Sequence, residues 1–486
     1  HKKSKSTVTQ IDKIRVSSEL KRIRTELKRL TSLFQKTWKM ELYRLLLFIS
    51  CILSSYGRLN PNRFPDDFFF GTATASYQIE GAWNLSDNFF IIFIITYKYG
   101  SNGDIACDSY HKYEEDVALI KNMGVQFYRF SLSWSRILPT GFDYKINPDG
   151  IRYYNDLINL LIKNDIVPLV TLFHWDTPQP LEDLGGFANE LMAEWFEDYA
   201  RVVFENFGDR VRHWLTFNEP RQICLEGYGG DGKAPGYESS GIGDYLCAHN
   251  LIRAHARAYH LYDQEFRPLQ NGNISITLDA VWSEPITNST FDKEAAERVL
   301  EFQFAWFADP IFSPNGDYPD VMKKLVAERS QKEGFRRSRL PEFTGKEVEY
   351  IKGTSDFFGL NHYTTVVTKD APDTPIGGKP SSLKDSQTVY SQDPSWPSGT
   401  SSWLKVIPWG FTRILVWIKN RYGDIPIHIT ENGFSDHGEI DDQGRINYYK
   451  LYLSALLDAI YDHKVNVKMY TAWSLLDNFE WRDGYV

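Results

Sequence analysis

Two glutamates stand in short motifs suited to acid–base and nucleophilic work: Glu219 in Thr216-Phe217-Asn218-Glu219-Pro220, and Glu431 in Ile429-Thr430-Glu431-Asn432-Gly433. A pair of carboxyls about 5 Å apart can split an acetal linkage with retention. One attacks the carbon while the other protonates the leaving oxygen and then deprotonates water. Each motif closes a short apolar or β-branched run, so each carboxyl is expected at the C-terminal end of a strand. The two lie 212 positions apart, so only the fold can bring them together. Taken singly, each motif also fits an ordinary turn, since Pro or Asn-Gly after a carboxylate is a common turn signal.

The elements that would position them follow from periodicity. Short apolar runs at Phe68–Ser76, Phe127–Ser131, Val167–Phe173, Trp214–Asn218, Asn273–Asp279, Phe357–Tyr363, Ile427–Thr430 and Val467–Trp473 read as eight strands. Helical stretches lie between them. Tyr110–Met123 places Tyr110, Tyr113, Val117, Ile120 and Met123 on one face, and Asn447–His463 does the same with Leu451, Tyr452, Ala455 and Ala459. Eight β/α alternations point to an α/β fold of the (β/α)8 TIM-barrel type rather than a doubly wound sheet, and such a barrel gathers its strand tips around one pit. The Ser/Pro/Gly/Asp-rich stretch 370–400 reads as a surface loop after strand six.

With these motifs, and with Phe69-Phe70-Gly71-Thr72-Ala73-Thr74-Ala75-Ser76-Tyr77-Gln78-Ile79-Glu80-Gly81, the chain resembles the family-one glycoside hydrolases, the β-glucosidase family, and most resembles its secreted animal members. The likeness runs from about Asn62 to the last residue. It implies a retaining β-glycosidase with Glu219 as acid/base and Glu431 as nucleophile, the latter held ionised by Arg129 and Tyr363. On the residues alone, Arg129 also fits a structural ion pair, and His174 and Trp473 also fit a core.

The resemblance further implies a sugar pocket of Gln78, His174, Trp175, Asn218, Asn361, Trp473, Glu480 and Trp481. Gln78 and Glu480 are expected to bond two hydroxyls each, with Trp473 stacked beneath the ring and Trp403 as a platform for the leaving group. A carboxylate at Glu480 would repel a 6-phosphate. The intact Glu219 favours O-glycosides over a thioglucosidase (myrosinase-like) role, and two intact carboxyls favour an enzyme over an inactive glycan- or protein-binding barrel. The implied partner is a small-molecule β-glucoside or oligosaccharide; two carboxyls and water suffice, so no metal and no organic cofactor is expected.

Composition bounds the remainder. Aromatic residues make up 15% of the 486, a share suited both to a core and to sugar faces. Residues 1–39 carry 12 Lys/Arg against 3 Asp/Glu, whereas the rest carry 42 against 60, an acidic body that argues against nucleic-acid binding. Met40, Arg44, the apolar Leu45–Leu53 and Ser55-Tyr56-Gly57 read as a signal peptide over 40–57, too short for a stable membrane span. The expected organisation is therefore a basic extension foreign to the native protein over 1–39, that signal, and a hydrolase barrel over 58–486. Secretion is expected if Met40 starts the native chain, and sequons at Asn84, Asn273 and Asn288 agree with it.

Outside the signal, Cys107, Cys224 and Cys247 are scattered and suggest neither a disulfide framework nor metal-ligand spacing. The family pattern breaks twice. Between Trp83 and Gly100 its usual turn is replaced by a segment containing seven unbroken apolar residues, Phe89 to Ile95, which reads as unspliced intron sequence. The chain then stops at Val486, so a barrel without its last helix is expected.

Overall fold

A computed structural model describes residues 59–85 and 100–485. The basic extension, the signal peptide and the apolar run Phe89–Ile95 lie outside the described residues. Residues 60–486 make one compact unit.

Eight parallel strands close into a barrel: β1 Phe69–Ala73, β2 Phe127–Ser131, β3 Val167–Phe173, β4 His213–Asn218, β5 Asn273–Asp279, β6 Phe358–Asn361, β7 Ile427–Gly433 and β8 Val467–Trp473. Each neighbours the next in sequence, and β1 pairs with β8 to close the ring. Strands β2, β3, β6 and β7 are buried almost throughout, as helices cover the outside and side chains fill the inside. The first strand is shorter than expected, because Ser76–Ile79 turns into a short helix.

Inside the barrel, apolar and polar layers are segregated. Phe127, Leu169, Leu215, Phe357 and Met469 form a separate apolar cluster toward the strand starts. Toward the strand ends come Arg129, Thr171, Thr277, Asn361 and Thr430, all buried. The strand order and parallel register put Ala73 beside Trp473 and Arg129, and Glu431 beside Asn361. Irregularities interrupt the register between Leu215 and Asn218 and between Ile429 and Glu431, next to both glutamates. A bulge locally twists a strand and re-aims the side chains beyond it.

The outer helices form for ordinary reasons. In Pro148–Lys163, Asn147 caps the start by accepting from the Asp149 N–H, Pro148 occupies the first turn, and Tyr153, Tyr154, Leu157, Ile158 and Leu161 make the buried stripe. Helix Ser109–Met123 buries Val117 and Ile120 as expected, but Met123 is 54% exposed because Gly124 in the left-handed region ends the helix there. Helix Gln443–Tyr461 buries Tyr452, Ala455 and Ala459. Trp134, Trp214 and Trp306 are fully buried in the large core between barrel and helices. No α-helix follows β8 among the described residues.

Two expectations are corrected. The stretch 370–400 is not merely a loop: Thr388–Ser391 is a strand, antiparallel to Thr365–Asp370, which in turn pairs with Trp282–Pro285. Its β-branched Thr388 and Val389 take the strand inside an otherwise turn-rich composition. The cysteines are not all unpaired either. Cys224 and Cys247 form a disulfide with a Cα–Cα distance of 5.4 Å, tying the segment after β4 to helix Gly243–Leu261. Among the described residues, no helix is long and apolar enough to cross a membrane and no group of three metal-ligating side chains is found.

Candidate active site

The strand tips converge as anticipated. Glu219 follows β4 directly, with its backbone in the left-handed region at φ 45° and its N–H donating to the Thr277 carbonyl of β5. Glu431 lies within β7. Both side chains are buried, Glu219 7% and Glu431 4% exposed, in a setting where an unpaired charge is costly.

One side chain stands between them. The Asn361 oxygen accepts from Thr430 Oγ1 at 2.7 Å, which turns its amide nitrogen toward Glu219 Oε1 at 2.8 Å and Asn218 Oδ1 at 3.1 Å. The same residue also acts to lower the Glu431 pKa, and it is the neighbour of Glu431 in the paired strands β6 and β7.

The two environments differ. Arg129 donates to Glu431 Oε1 at 2.8 Å and Tyr363 Oη donates to Oε2 at 2.8 Å, so each oxygen of Glu431 has its own donor. Glu219 has one amide and faces two anions. Burial, then the Asp279 carboxylate, then Glu431 push the Glu219 pKa well above the usual carboxylate range, against weaker opposition from Asn361 and Lys233. Burial raises Glu431 as well, but Arg129, Tyr363 and Asn361 all oppose it. The shared environment therefore places the proton on Glu219 and the charge on Glu431.

Arg129 also organises its neighbours. Its Nη2 donates to Asn218 Oδ1 at 2.7 Å. A guanidinium only donates, so this oxygen is fixed as the acceptor and the Asn218 nitrogen must face His174 Nε2, 2.9 Å away. That ring nitrogen accepts, which puts the His174 hydrogen on Nδ1. Burial, Arg129 and Lys233 hold the His174 pKa well below its ordinary value, so the ring is neutral. Its Nδ1 is buried without a partner, a donor ready for a hydroxyl.

Gln78 supplies the matching acceptor. Its nitrogen donates to Asn478 Oδ1 at 2.7 Å and to the Phe479 carbonyl at 2.9 Å, leaving Oε1 buried and unpartnered. Gln78 therefore offers one oxygen, not the two hydroxyl contacts expected from its type. Glu480 is pushed up to about 7, first by burial and next by Glu431, with Trp473 acting to lower it.

An aromatic wall completes the site. The Trp473 and His174 rings stack with centroids 5.7 Å apart, and Trp481 lies 6.2 Å from His174 and 4.6 Å from Trp175. Trp175 Nε1 donates to the Asn218 carbonyl at 2.8 Å. Trp175, Glu219 and Trp481 all have positive φ, a conformation disfavoured for bulky side chains and concentrated here at the pit. Trp403 is 49% exposed and meets Tyr363 edge-on at 5.8 Å, at the rim. Twelve of the thirteen expected residues are joined by these contacts, and Gln78 reaches them through Phe479, the chain neighbour of Glu480.

Sequence reasoning passed over Asp279, Asn478 and Lys233. Asp279 ends β5 and accepts from Arg221 and Gln222, so the rule that picked the glutamates could have found it. Asn478 and Lys233 lie in irregular segments with no periodic signal.

Residues 60–486 match the family model described as Glycosyl hydrolase family 1. Myrosinase 1 of Brevicoryne brassicae is 48% identical over 433 residues, covering 87% of this chain and 92% of its own. The human cytosolic beta-glucosidase is 45% identical, covering 87% and 91%. Human lactase/phlorizin hydrolase is 46% identical, and the chain spans only 22% of its length. Among solved structures, a mutant rice beta-glucosidase in a covalent complex with Glc has a TM-score of 0.82 at 39% identity, covering 88% of this chain and 93% of that one.

Proposed function

The chain belongs to glycosyl hydrolase family 1 and is a glycosyl hydrolase of the β-glucosidase type, and from that premise we propose how its residues divide the work. It removes terminal β-D-glucosyl residues with retention. Glu431 attacks the anomeric carbon as Glu219 protonates the departing oxygen, leaving a glycosyl ester on Glu431 and a neutral aglycone. Glu219, now a carboxylate, takes a proton from water as that water attacks the same carbon, and Glu431 leaves as the carboxylate. Both carboxyls return to their starting protonation. The observation that carries this reading is the unequal provision for the two acids: two strong donors on Glu431, one amide and two facing anions on Glu219.

His174 Nδ1–H and Gln78 Oε1 give the sugar one donor and one acceptor, and both would be left costly and unpaired by a sugar lacking the matching hydroxyls. Glu480, in the sugar pocket, disfavours a 6-phosphate, most strongly above its pKa of about 7. The intact acid at position 219 supports O-glycosides; the likeness to a myrosinase makes thioglucosides the second substrate to assay. Secretion is part of the proposal, supported by the Cys224–Cys247 disulfide and by exposed sequon residues Asn84, Asn273 and Asn288.

The test is hydrolysis of 4-nitrophenyl β-D-glucoside. Wild type should release β-glucose first, seen by proton NMR. Glu431→Ala should abolish turnover, and Glu219→Ala should retain activity only on activated leaving groups and be rescued by azide. Release of α-glucose, or full activity without either carboxyl, refutes the assignment.

A further inference from the structure

Asp279 is the last residue of β5, 8% exposed, and the reaction above gives it no step. One of its oxygens, Oδ2, accepts from Arg221 Nε at 3.0 Å, from Arg221 Nη2 and from Gln222 Nε2 at 2.9 Å. Both donors lie in the one-turn helix Pro220–Ile223, which follows Glu219 directly. The same strand holds the other flank of the acid, since the Glu219 N–H donates to the Thr277 carbonyl at 3.0 Å. A side-chain-bearing residue at φ 45° is strained and stays there only where its surroundings enforce it. Here β5 enforces it from both sides. Asn361, whose amide donates to Glu219 Oε1, is the partner of Asp279 across the β5–β6 ladder.

The charged and titratable groups that face Glu219 are Asp279 from β5, Glu431 from β7, Tyr363 after β6, and Lys233 and Arg221 from the segment after β4. Asp279 and Glu431 favour the proton-bearing acid, Lys233 opposes them, and Arg221 is paired with Asp279. During cleavage the Glu431 charge is lost into the glycosyl ester, and Asp279 is the anion that stays. It then strengthens Glu219 as a base toward water.

Resting on the glycosidase reading, we propose that Asp279 is a positioning residue for the acid: it grips Arg221 and Gln222 to hold the strained turn at Glu219, and its charge sets how firmly Glu219 keeps its proton. It acts through Glu219 and takes no part in making or breaking bonds.

The experiment measures kcat/KM across pH on wild type, Asp279→Asn, Asp279→Ala and Arg221→Gln. Two substrates are compared: phenyl β-D-glucoside, whose leaving oxygen needs the acid, and 2,4-dinitrophenyl β-D-glucoside, whose leaving oxygen does not. Asp279→Asn keeps an acceptor for the clamp but removes the anion and leaves Arg221 unpaired. The alkaline limb for the phenyl substrate should therefore move down by about one unit, the lower end of what a neighbouring charge exerts. Arg221→Gln leaves Asp279 unpaired and should move the same limb up. Asp279→Ala releases the turn and should lower kcat/KM for the phenyl substrate about tenfold more than for the dinitrophenyl one, part of the roughly 10²–10⁴ that a positioned acid supplies. A role confined to packing would move the limb the same way in Asp279→Asn and Arg221→Gln, or not at all, and Asp279→Ala would then cost both substrates equally; either result overturns the proposal. Wild type inactive on the dinitrophenyl substrate would instead refute the underlying glycosidase reading.

Discussion

Tyr363→Phe removes one hydroxyl and keeps the ring that meets Trp403, so it isolates a single hydrogen bond, the 2.8 Å contact to Glu431 Oε2. Charge-assisted bonds of this kind contribute about 1.5–3 kcal/mol. At 1.36 kcal/mol per pH unit, the loss corresponds to a rise of about 1–2 units in the pKa of Glu431. The sign is set by which form is bonded: the hydroxyl stabilises the carboxylate, so deleting it favours the proton. Attack needs the carboxylate, and the acid limb of kcat/KM should therefore move to higher pH by about 1–2 units. The alkaline limb, governed by Glu219, should move far less, because Tyr363 donates to the other acid. The assay is kcat/KM for 4-nitrophenyl β-D-glucoside across the range in which the folded enzyme is stable. An acid limb that stays in place or moves down would refute the view that Tyr363 holds the nucleophile ionised.

Two further perturbations test the frame around the acids. A Cβ at Gly433 would lie 1.9 Å from the Trp473 carbonyl oxygen, a backbone atom that cannot swing aside, so Gly433→Ala must part the tips of β7 and β8. A displacement of about 1 Å costs about 100-fold in turnover; kcat/KM should fall by that order, and near-wild-type activity would show the tips to be less tightly joined. Asp176 is wholly buried, accepts from Ser76 Oγ at 2.9 Å and is pushed up to about 7 by burial. Its folded pKa exceeds the unfolded one, so its stabilising contribution is complete below about pH 4 and is lost as pH rises through about 7, a difference of about 4 kcal/mol by pH 8. Asp176→Asn should raise Tm most at pH 8, less at pH 5 and little near pH 4, and equal shifts at pH 8 and pH 4 would refute the buried-proton account.

The strands were legible to within a few residues because a parallel strand covered on both sides is rich in apolar and β-branched residues, and such runs stand out between turn residues. The acids were legible for a related reason: once strand ends are located, barrel topology makes neighbours of Glu219 and Glu431. What escaped the sequence depended on partners remote in the chain. The Cys224–Cys247 bridge required knowing that the segment after β4 folds back on helix Gly243–Leu261. Gln78 looked like a two-handed ligand until Asn478 and Phe479, about 400 positions away, took its nitrogen. The strand Thr388–Ser391 was hidden by the Ser, Pro and Gly around it, and Met123 was misread because periodicity does not say where a helix leaves the core.

The line of contacts from Arg129 through Asn218 to His174 bears on attempts to redesign sugar choice. An imidazole can present either a hydrogen or a lone pair to a hydroxyl, and here that polarity is dictated through Asn218 by the Arg129 guanidinium. Reprogramming at position 174 alone would leave the instruction intact. An engineer who wants the pocket to read the opposite hydroxyl pattern must first turn Asn218 around, against both the arginine that steadies the nucleophile and the Asn361 amide that donates to the acid. Preference among epimers and competence in bond cleavage are thereby locked to the same donors, and the first cannot drift freely without disturbing the second.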